Sequence, residues 1–494
     1  MSSHSSPISS DRAGGAALEI PGWKEGTLGR LVTIFGSLGP TQGRQVHYIF
    51  DTRQPRYSEF VHVVDGPLHS ICRRVPAAAW YERELHDQYG IEIVDHPDLR
   101  PLVFHDNWPE GLYPMVHAPA DIPWSKREYR FLEVKGEGVA EVAVGPVHAG
   151  IIEPGHFRFS VIGDTILHLE LRHFYTHKGI EKLFEGKHPA DGCLLAESVS
   201  GDNCFAHAVC YAQAVEAACN IELPPRSAAL RLIGLELERL VCHISDIGGL
   251  CMDVGFIAGA AGATRLKEEL LQASARCTGT RYWRGIAIPG GLRRDLSSEA
   301  VSALAKAAAS VHREFSELVQ LIVETPSIQN RFEGAGALAK KAARDLAIVG
   351  PVARASGIDL DVRRDHPYGF YRDTPIEVPV RHYGDVMARA RIRTAEAMVS
   401  AALIQSAAAS LPEGRVLAAL PHLLEGHGFS AVESPRGELA YWFEMREGRV
   451  ARCHIKSPSF QNWPAMPFAV AGNVIADFPL VNKSFNLSYS GCDR

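Results

Sequence analysis

No two of the ten cysteines form a CxxC pair, so the commonest clamp for a soft metal is missing. Cys72, Cys193, Cys204, Cys210, Cys219, Cys242, Cys251, Cys277, Cys453 and Cys492 are spread thinly along the chain. No apolar leader precedes them, so they read as reduced cytoplasmic thiols and not as a disulfide framework. Long hydrophobic runs are missing too. Nothing approaches the ~18 consecutive apolar residues of a membrane helix, so any membrane role must come through partner subunits. Positive charge is not in excess: 51 Lys and Arg face 57 Asp and Glu, for a net charge of −6. That balance leaves no basic footprint for nucleic acid.

What remains is an ordinary globular composition, 46% hydrophobic and 22% charged over 494 residues. This is more chain than one core usually serves, so two domains are expected. Residues 1–20 open with a Ser-, Gly- and Ala-rich stretch that reads as a disordered tail and not as a signal peptide. Over 21–124, strand-like runs at Leu31–Phe35 and Val46–Phe50 precede a helical segment, Ala77–Gly90, and then an irregular Pro- and His-rich stretch. A charged segment, 125–138, reads as the linker. The remainder, 139–494, opens with strands near Phe157–Val161 and Ile166–Leu171. Helix-period segments follow at Ala206–Ala218, Ala228–Gly248, Lys267–Gly279, Ser297–Thr325 and Asp385–Ser410. Strands return at Glu438–Phe443 and Val450–Ile455. The fold class is α+β: a small α+β domain, then a mainly helical domain with β elements at both ends.

The first dense motif is Trp80-Tyr-Glu-Arg-Glu-Leu-His-Asp-Gln-Tyr-Gly-Ile91, followed by His96-Pro-Asp-Leu-Arg100. Arg83 and Asp87 stand four apart, which by itself suits a solvated helix face. The second is Gly145-Pro-Val-His-Ala-Gly-Ile-Ile-Glu-Pro-Gly-His-Phe-Arg-Phe159, where two prolines bracket a loop bearing His148 and Glu153. Such a loop suits either a pocket or a satisfied structural turn. His177-Lys-Gly-Ile-Glu-Lys182, Glu236–His243, Thr278–Gly285, Gly350–Gly357, Ser457–Trp463 and Asp477–Ser484 complete the series.

The first motif resembles the C subunit of respiratory complex I, and the others resemble the large subunit shared by group 4 membrane-bound nickel-iron hydrogenases and the complex I D subunit. The resemblance implies a C-like domain fused to a D-like domain. It also implies an iron–sulfur small subunit and antiporter-like membrane subunits as partners, and a position on the cytoplasmic face of the inner membrane.

Working hydrogenases of this family hold their metals with two cysteine pairs. Here the first segment reads Glu197-Ser-Val-Ser-Gly-Asp-Asn-Cys204, with Ser200 and Asn203 at the cysteine positions. The second reads Asn486-Leu-Ser-Tyr-Ser-Gly-Cys-Asp-Arg494, with Ser488 and Gly491 there. Neutral, hard oxygen donors cannot stand in for bridging thiolates, so no resident cofactor is expected in this chain. The complex I quinone residues, a loop His and a Tyr, correspond to Ile152 and Gly201. Glu153 falls where the hydrogenases keep a proton-passing glutamate, and its burial there would raise its pKa.

The expected pocket lining is therefore His148, Glu153, Ser200, Asp202, Asn203, His207, Ser488 and Cys492, with quinone as the candidate ligand. A slipped register that brings Cys204 and Cys492 together is the alternative metal site. Three functions follow: a hydrogenase-like redox protein that couples electron transfer to ion translocation, a non-catalytic scaffold, or a hydrogenase with an unusual ligand set.

Overall fold

The computed structural model describes residues 8–13, 29–39, 43–52, 57–117, 122, 125, 128–149, 152–421 and 425–494. The N-terminal region is built on a sheet of β1 (Ile8–Ala13), β2 (Arg30–Leu38), β3 (Arg44–Asp51) and β4 (Tyr57–Val63), in the order β1-β4-β3-β2. Strand β1 corrects the expectation of a tail disordered throughout 1–20. The free backbone edge of β4 recruits it as a parallel partner, as open sheet edges do; the rest of that tail lies outside the described residues. Two short strands follow, β5 (Leu68–His69) and β6 (Ile93–Val94), flanking α1 (Ala79–Tyr89). The expected helix over Ala77–Gly90 is thus α1 preceded by a 3-10 turn, Pro76–Ala78.

No regular element occupies the described residues of 128–138, and the next strand starts at Val139. Strands β7 (Val139–Val144), β8 (His156–Ile162) and β9 (Thr165–Arg172) form an antiparallel sheet. Short helices α2 (Ile180–Phe184) and α3 (Gly192–Glu197) lead into α4 (Cys204–Ala218), α5 (Pro225–Asp253) and α6 (Ile257–Thr278). A hairpin of β10 (Ala287–Ile288) and β11 (Gly291–Leu292) precedes α7 (Ser298–Glu324). Then come α8 (Pro326–Phe332), α9 (Lys340–Asp345), α10 (Gly350–Ala355), α11 (Val362–Asp365) and α12 (Val386–Ala409). The last sheet, β12 (Gly426–Ser434), β13 (Gly437–Arg446) and β14 (Arg449–Lys456), is antiparallel. It is followed by α13 (Pro458–Asn462), α14 (Met466–Val470), α15 (Phe478–Phe485) and α16 (Tyr489–Asp493). No described helix is long and apolar enough to cross a membrane.

Helix α5 begins with Pro225 in its first turn, where the missing N–H costs nothing. It packs against α6 and α12 through a face of Leu, Ile and Val. The two expected domains share one apolar core instead of keeping one each. Strand β2 lies on β14, where Phe35 stacks between His47 (4.6 Å) and His454 (4.3 Å). Arg30 reaches across to Glu438 at 2.7 Å, which also takes Lys456 at 2.9 Å.

Inside the helical region lies a fully buried ionic network. Arg354 pairs with Glu396 at 2.7 Å and with Glu433 at 2.8 Å. His243 meets Glu396 at 2.8 Å, while Arg363 joins Asp361 at 2.7 Å to Glu236 at 3.1 Å. The hydroxyls of Tyr371 and Ser400 donate to Glu236 as well. Removing one partner strands a charge, at about 3–5 kcal/mol. The expected outcome for Arg354→Met is a loss of that size in urea denaturation, against under about 0.5 kcal/mol for the exposed control Arg344→Met. Equal midpoints for the two variants would refute the assignment.

Candidate functional site

The site forms where α4 begins and the chain returns for its last helix. Ser200 ends the segment after α3, and Ser488 is the N-cap of α16, accepting from Gly491 N at 2.8 Å. Their hydroxyl oxygens are 2.9 Å apart, so two of the four former ligand positions hydrogen-bond to each other directly. Gly491, the third, sits against them: a Cβ there would meet Ser488 Cβ at 2.9 Å and Ser200 Cβ at 3.4 Å. Asn203, the fourth, is buried at the start of α4, and its Oδ1 has no partner. One turn on, His207 bonds through Nδ1 to the Tyr441 hydroxyl at 2.8 Å and leaves Nε2 unpartnered. Burial depresses its pKa to about 3, so the ring is neutral.

The structure thus brings Ser200, Ser488 and Gly491 into contact, with Asn203 at the start of α4. Their chemistry does not fit a nickel–iron pair. No position offers a thiolate, and the two hydroxyls satisfy each other across the space that bridging sulfurs would need. Glu153 joins this constellation through the backbone, its Oε2 accepting from Ser490 N at 2.9 Å; it is half-buried, short of the burial expected for it. His148 stays within its own loop, bonding Gly155 O at 2.8 Å. Ile152 is exposed.

Cys204 and Cys492 are both buried, and burial pushes both thiols up, away from the thiolate a metal needs. Cys204 donates to Tyr282 O at 3.5 Å, and neither thiol belongs to a converging group of three ligands among the described residues. The group that does converge is Cys72, Glu82 and His96. There His96 Nδ1 accepts from Asp98 N at 3.0 Å, which leaves the proton on Nε2, directed at Ala79 O at 3.2 Å. Glu82 is taken up by Ile71 N at 2.7 Å and by Ser70. This cluster is satisfied as a hydrogen-bonded turn.

Asp202 faces the other way. Its Oδ1 takes the Ser200 hydroxyl, its Oδ2 pairs with Arg436 at 2.8 Å, and Arg436 also binds Asp246. These groups form one end of a cavity of about 270 Å³ lined by Gly201, Phe205, Leu237, Glu238, Lys267 and Trp283 among others. Gly234 makes room for the aromatic wall, since a Cβ there would lie 2.3 Å from Phe205 and 2.7 Å from Trp283. A larger hollow, about 360 Å³, lies beside Trp108 and Tyr129 and is lined also by His86, Asp87 and Arg100 of the first motif. Of the residues expected to line a pocket, Asp202 lines the cavity, together with the quinone-position residue Gly201. Glu238, Lys267, Trp283 and Arg436 were missed, although Glu236–His243 and Thr278–Gly285 carry two of the walls.

Comparison with known proteins agrees with this architecture. The family profile of the respiratory-chain NADH dehydrogenase 30 Kd subunit matches residues 25–120, and that of the 49 Kd subunit matches 253–425 and 420–494. Formate hydrogenlyase subunit 5 of Escherichia coli is 35% identical over 86% of this chain and 76% of its own length. Hydrogenase-4 component G of the same organism is 34% identical over 86% and 75%. NADH-quinone oxidoreductase subunit 4 of Thermus thermophilus is 29% identical over 72% of this chain and 94% of its own length. A chain of the membrane-bound sulfane sulfur reductase, an archaeal respiratory membrane complex, shares the fold, with a TM-score of 0.68 at 24% identity over 72% of this chain and 99% of that one. The chain therefore belongs to the hydrogenase and complex I large-subunit family, with 30 Kd-like and 49 Kd-like regions fused in one polypeptide.

Proposed function

We propose that this protein is the hydrogenase-like large subunit of a membrane-associated, complex-I-related oxidoreductase that works without a nickel–iron centre and takes a quinone-like electron acceptor in the cavity beside the former metal position. The observation that carries the reading is the contrast between two adjoining spaces. At the ligand positions, side chains close on one another, with Ser200 Oγ 2.9 Å from Ser488 Oγ. Next to them a cavity of about 270 Å³ stays open, with an aromatic wall and polar groups at its ends. A filled site throughout would favour a scaffold. An open space with aromatic and aliphatic walls and convergent polar groups favours a small ligand. Its volume suits a single-ring head group better than a nucleotide.

Relatives named as formate hydrogenlyase, hydrogenase and NADH-quinone oxidoreductase subunits supply the context. In that context electrons arrive from an iron–sulfur small subunit, and antiporter-like membrane subunits hold the chain at the cytoplasmic face of the inner membrane. Electron transfer to the acceptor would then drive ion translocation.

The test is the purified intact complex. Nickel and low-spin iron are expected well below one equivalent per chain, with no hydrogen-dependent dye reduction and with reduction of decylubiquinone by the complex. Stoichiometric nickel would overturn the first half of the reading, and absence of any quinone response would overturn the second. Filling the cavity gives an independent check. Leu237→Phe, on the α5 wall, is expected to raise the apparent KM for decylubiquinone at least about tenfold, a cost of about 1.4 kcal/mol in binding. An unchanged KM would place the acceptor elsewhere.

A further inference from the structure

The cavity holds one carboxyl that makes no ion pair among the described residues. Glu238 projects from α5 into the wall, and among the described residues no Lys, Arg or His stands within ion-pair distance of it. Its two oxygens instead accept the first peptide N–H groups of α4, Phe205 N at 2.7 Å and Ala206 N at 3.0 Å. A side chain from a different helix thereby caps α4, because Asn203 at the N-cap position makes no side-chain cap bond. Nor does Lys267, on the α6 side of the same cavity, have a carboxylate partner in hydrogen-bond reach. It donates to Ser245 Oγ at 3.3 Å. Trp283 Nε1, in the third wall, is buried with no acceptor. The other charges are already paired: Arg436 with Asp202 and Asp246, and Arg281 with Glu268.

We infer that Glu238 is the proton-exchanging group of this cavity: its protonated form receives an acceptor molecule with carbonyl oxygens, and its ionised form repels one. The inference rests on the reading that the cavity takes a quinone-like acceptor. It says which residue couples that binding to protons. With the proton in place, Glu238 presents a donor in the wall and no negative charge to the ligand's oxygens; Trp283 Nε1 is a further donor with no acceptor among the described residues, and Lys267 a further cation, bonded to Ser245 Oγ alone among them.

Without the proton, the carboxylate repels those oxygens and grips α4 more tightly, since ionised acceptors make the stronger hydrogen bonds. The same proton therefore sets the hold on the first turn of α4, which directly follows Ser200, Asp202 and Asn203. This makes Glu238 a positioning as well as a proton-exchanging residue.

The groups facing Glu238 support titration in a useful range. Asp202 in the loop before α4, Cys204 on α4, and Arg239, Cys242 and Asp246 on α5 surround it. Lys267, Arg281, Tyr282 and Arg436 lie on the other walls. Desolvation dominates over the two N–H bonds, and the Asp202 charge adds to it, so the carboxyl is pushed up to about 8. A raised pKa means the proton is bound below that value and lost above it. Acceptor affinity should therefore be level below about pH 7 and fall about tenfold per unit well above pH 8.

The experiment uses the intact complex and decylubiquinone as the probe, with binding measured from pH 6 to pH 10. Wild type is expected to lose affinity through pH 8, Glu238→Gln to lose that pH dependence, and Glu238→Asp to retain one with a shifted midpoint. Binding that is flat with pH in wild type would overturn the inference and leave the acceptor reading intact. Binding at no pH would overturn the acceptor reading. A ligand-free measurement keeps the proton claim testable in that event. Hydrogen exchange at the start of α4, corrected for base catalysis, should slow through pH 8 in wild type and not in Glu238→Gln. An identical profile in both would sink the claim that this carboxyl titrates there.

Discussion

Charge buried between helices is the constraint on which the rest of this structure depends. Arg354, Arg363, Glu236, Glu396 and Glu433 are removed from water, and each is tolerable because another member neutralises it at hydrogen-bond distance. The network draws on α5, α10, α11, α12 and β12 at once, so none of these elements can shift without stranding a charge. It also runs outward. Asp246, one turn of α5 beyond His243, binds Arg393 at 2.9 Å and Arg436, and Arg436 passes the connection to Asp202 at 2.8 Å. Asp202 accepts from Ser200. The loop before α4 is thus one end of an ion chain that begins in the core, and that chain fixes its shape.

The same chain explains why closing and opening occur side by side. Serine hydroxyls are short and can both donate and accept, so Ser200 and Ser488 satisfy each other and the space between them disappears. A few residues away, Phe205 and Trp283 pack directly on α5 at Gly234, which has no Cβ to keep them off, and the cavity they wall stays open. Small hydroxyls close on one another at the first place, and a glycine-backed aromatic wall borders an open space at the second.

Much of the fold was legible in the residues because its pattern is periodic. Helices α4, α5, α7 and α12 and strands β2, β3, β8, β9, β13 and β14 all follow apolar spacings of the expected period. Strands β4, β7 and β12 escaped notice. Tyr57–Val63 mixes Ser, Glu and His into its alternation, and β7 is a largely exposed edge strand. Ser200, Ser488 and Gly491 were singled out by register, and the structure brings those three into contact. The cavity was not. Its walls come from six separated segments whose residues look like ordinary helix and loop positions, and Glu238 reads in the sequence as one more charge on an amphipathic helix. The continuity of the core between the two domains was equally hidden, since stacking of Phe35 on His454 depends on residues more than four hundred positions apart.

A bimetallic centre clamped by both cysteine pairs does more than chemistry: it ties the last residues of the chain to the loop before α4. Here that mechanical role is carried by small interactions distributed over the C-terminal segment. Ser488 holds Ser200, Glu153 takes Ser490 N, and Asp493 accepts from Thr176 through both N and Oγ1, at 3.0 and 2.7 Å. Arg494 reaches Glu84 at 2.6 Å and Glu181 at 3.3 Å, joining the two regions of the chain at one buried guanidinium. Each hydrogen bond contributes only about 1 kcal/mol net, and those to charged groups somewhat more. Together they match the scale of a structural cross-link without requiring a metal. The last turn of the chain is thus anchored by Glu153, Thr176, Glu84 and Glu181 as well as by Ser200, an arrangement that holds the architecture whatever reaction the fold carries.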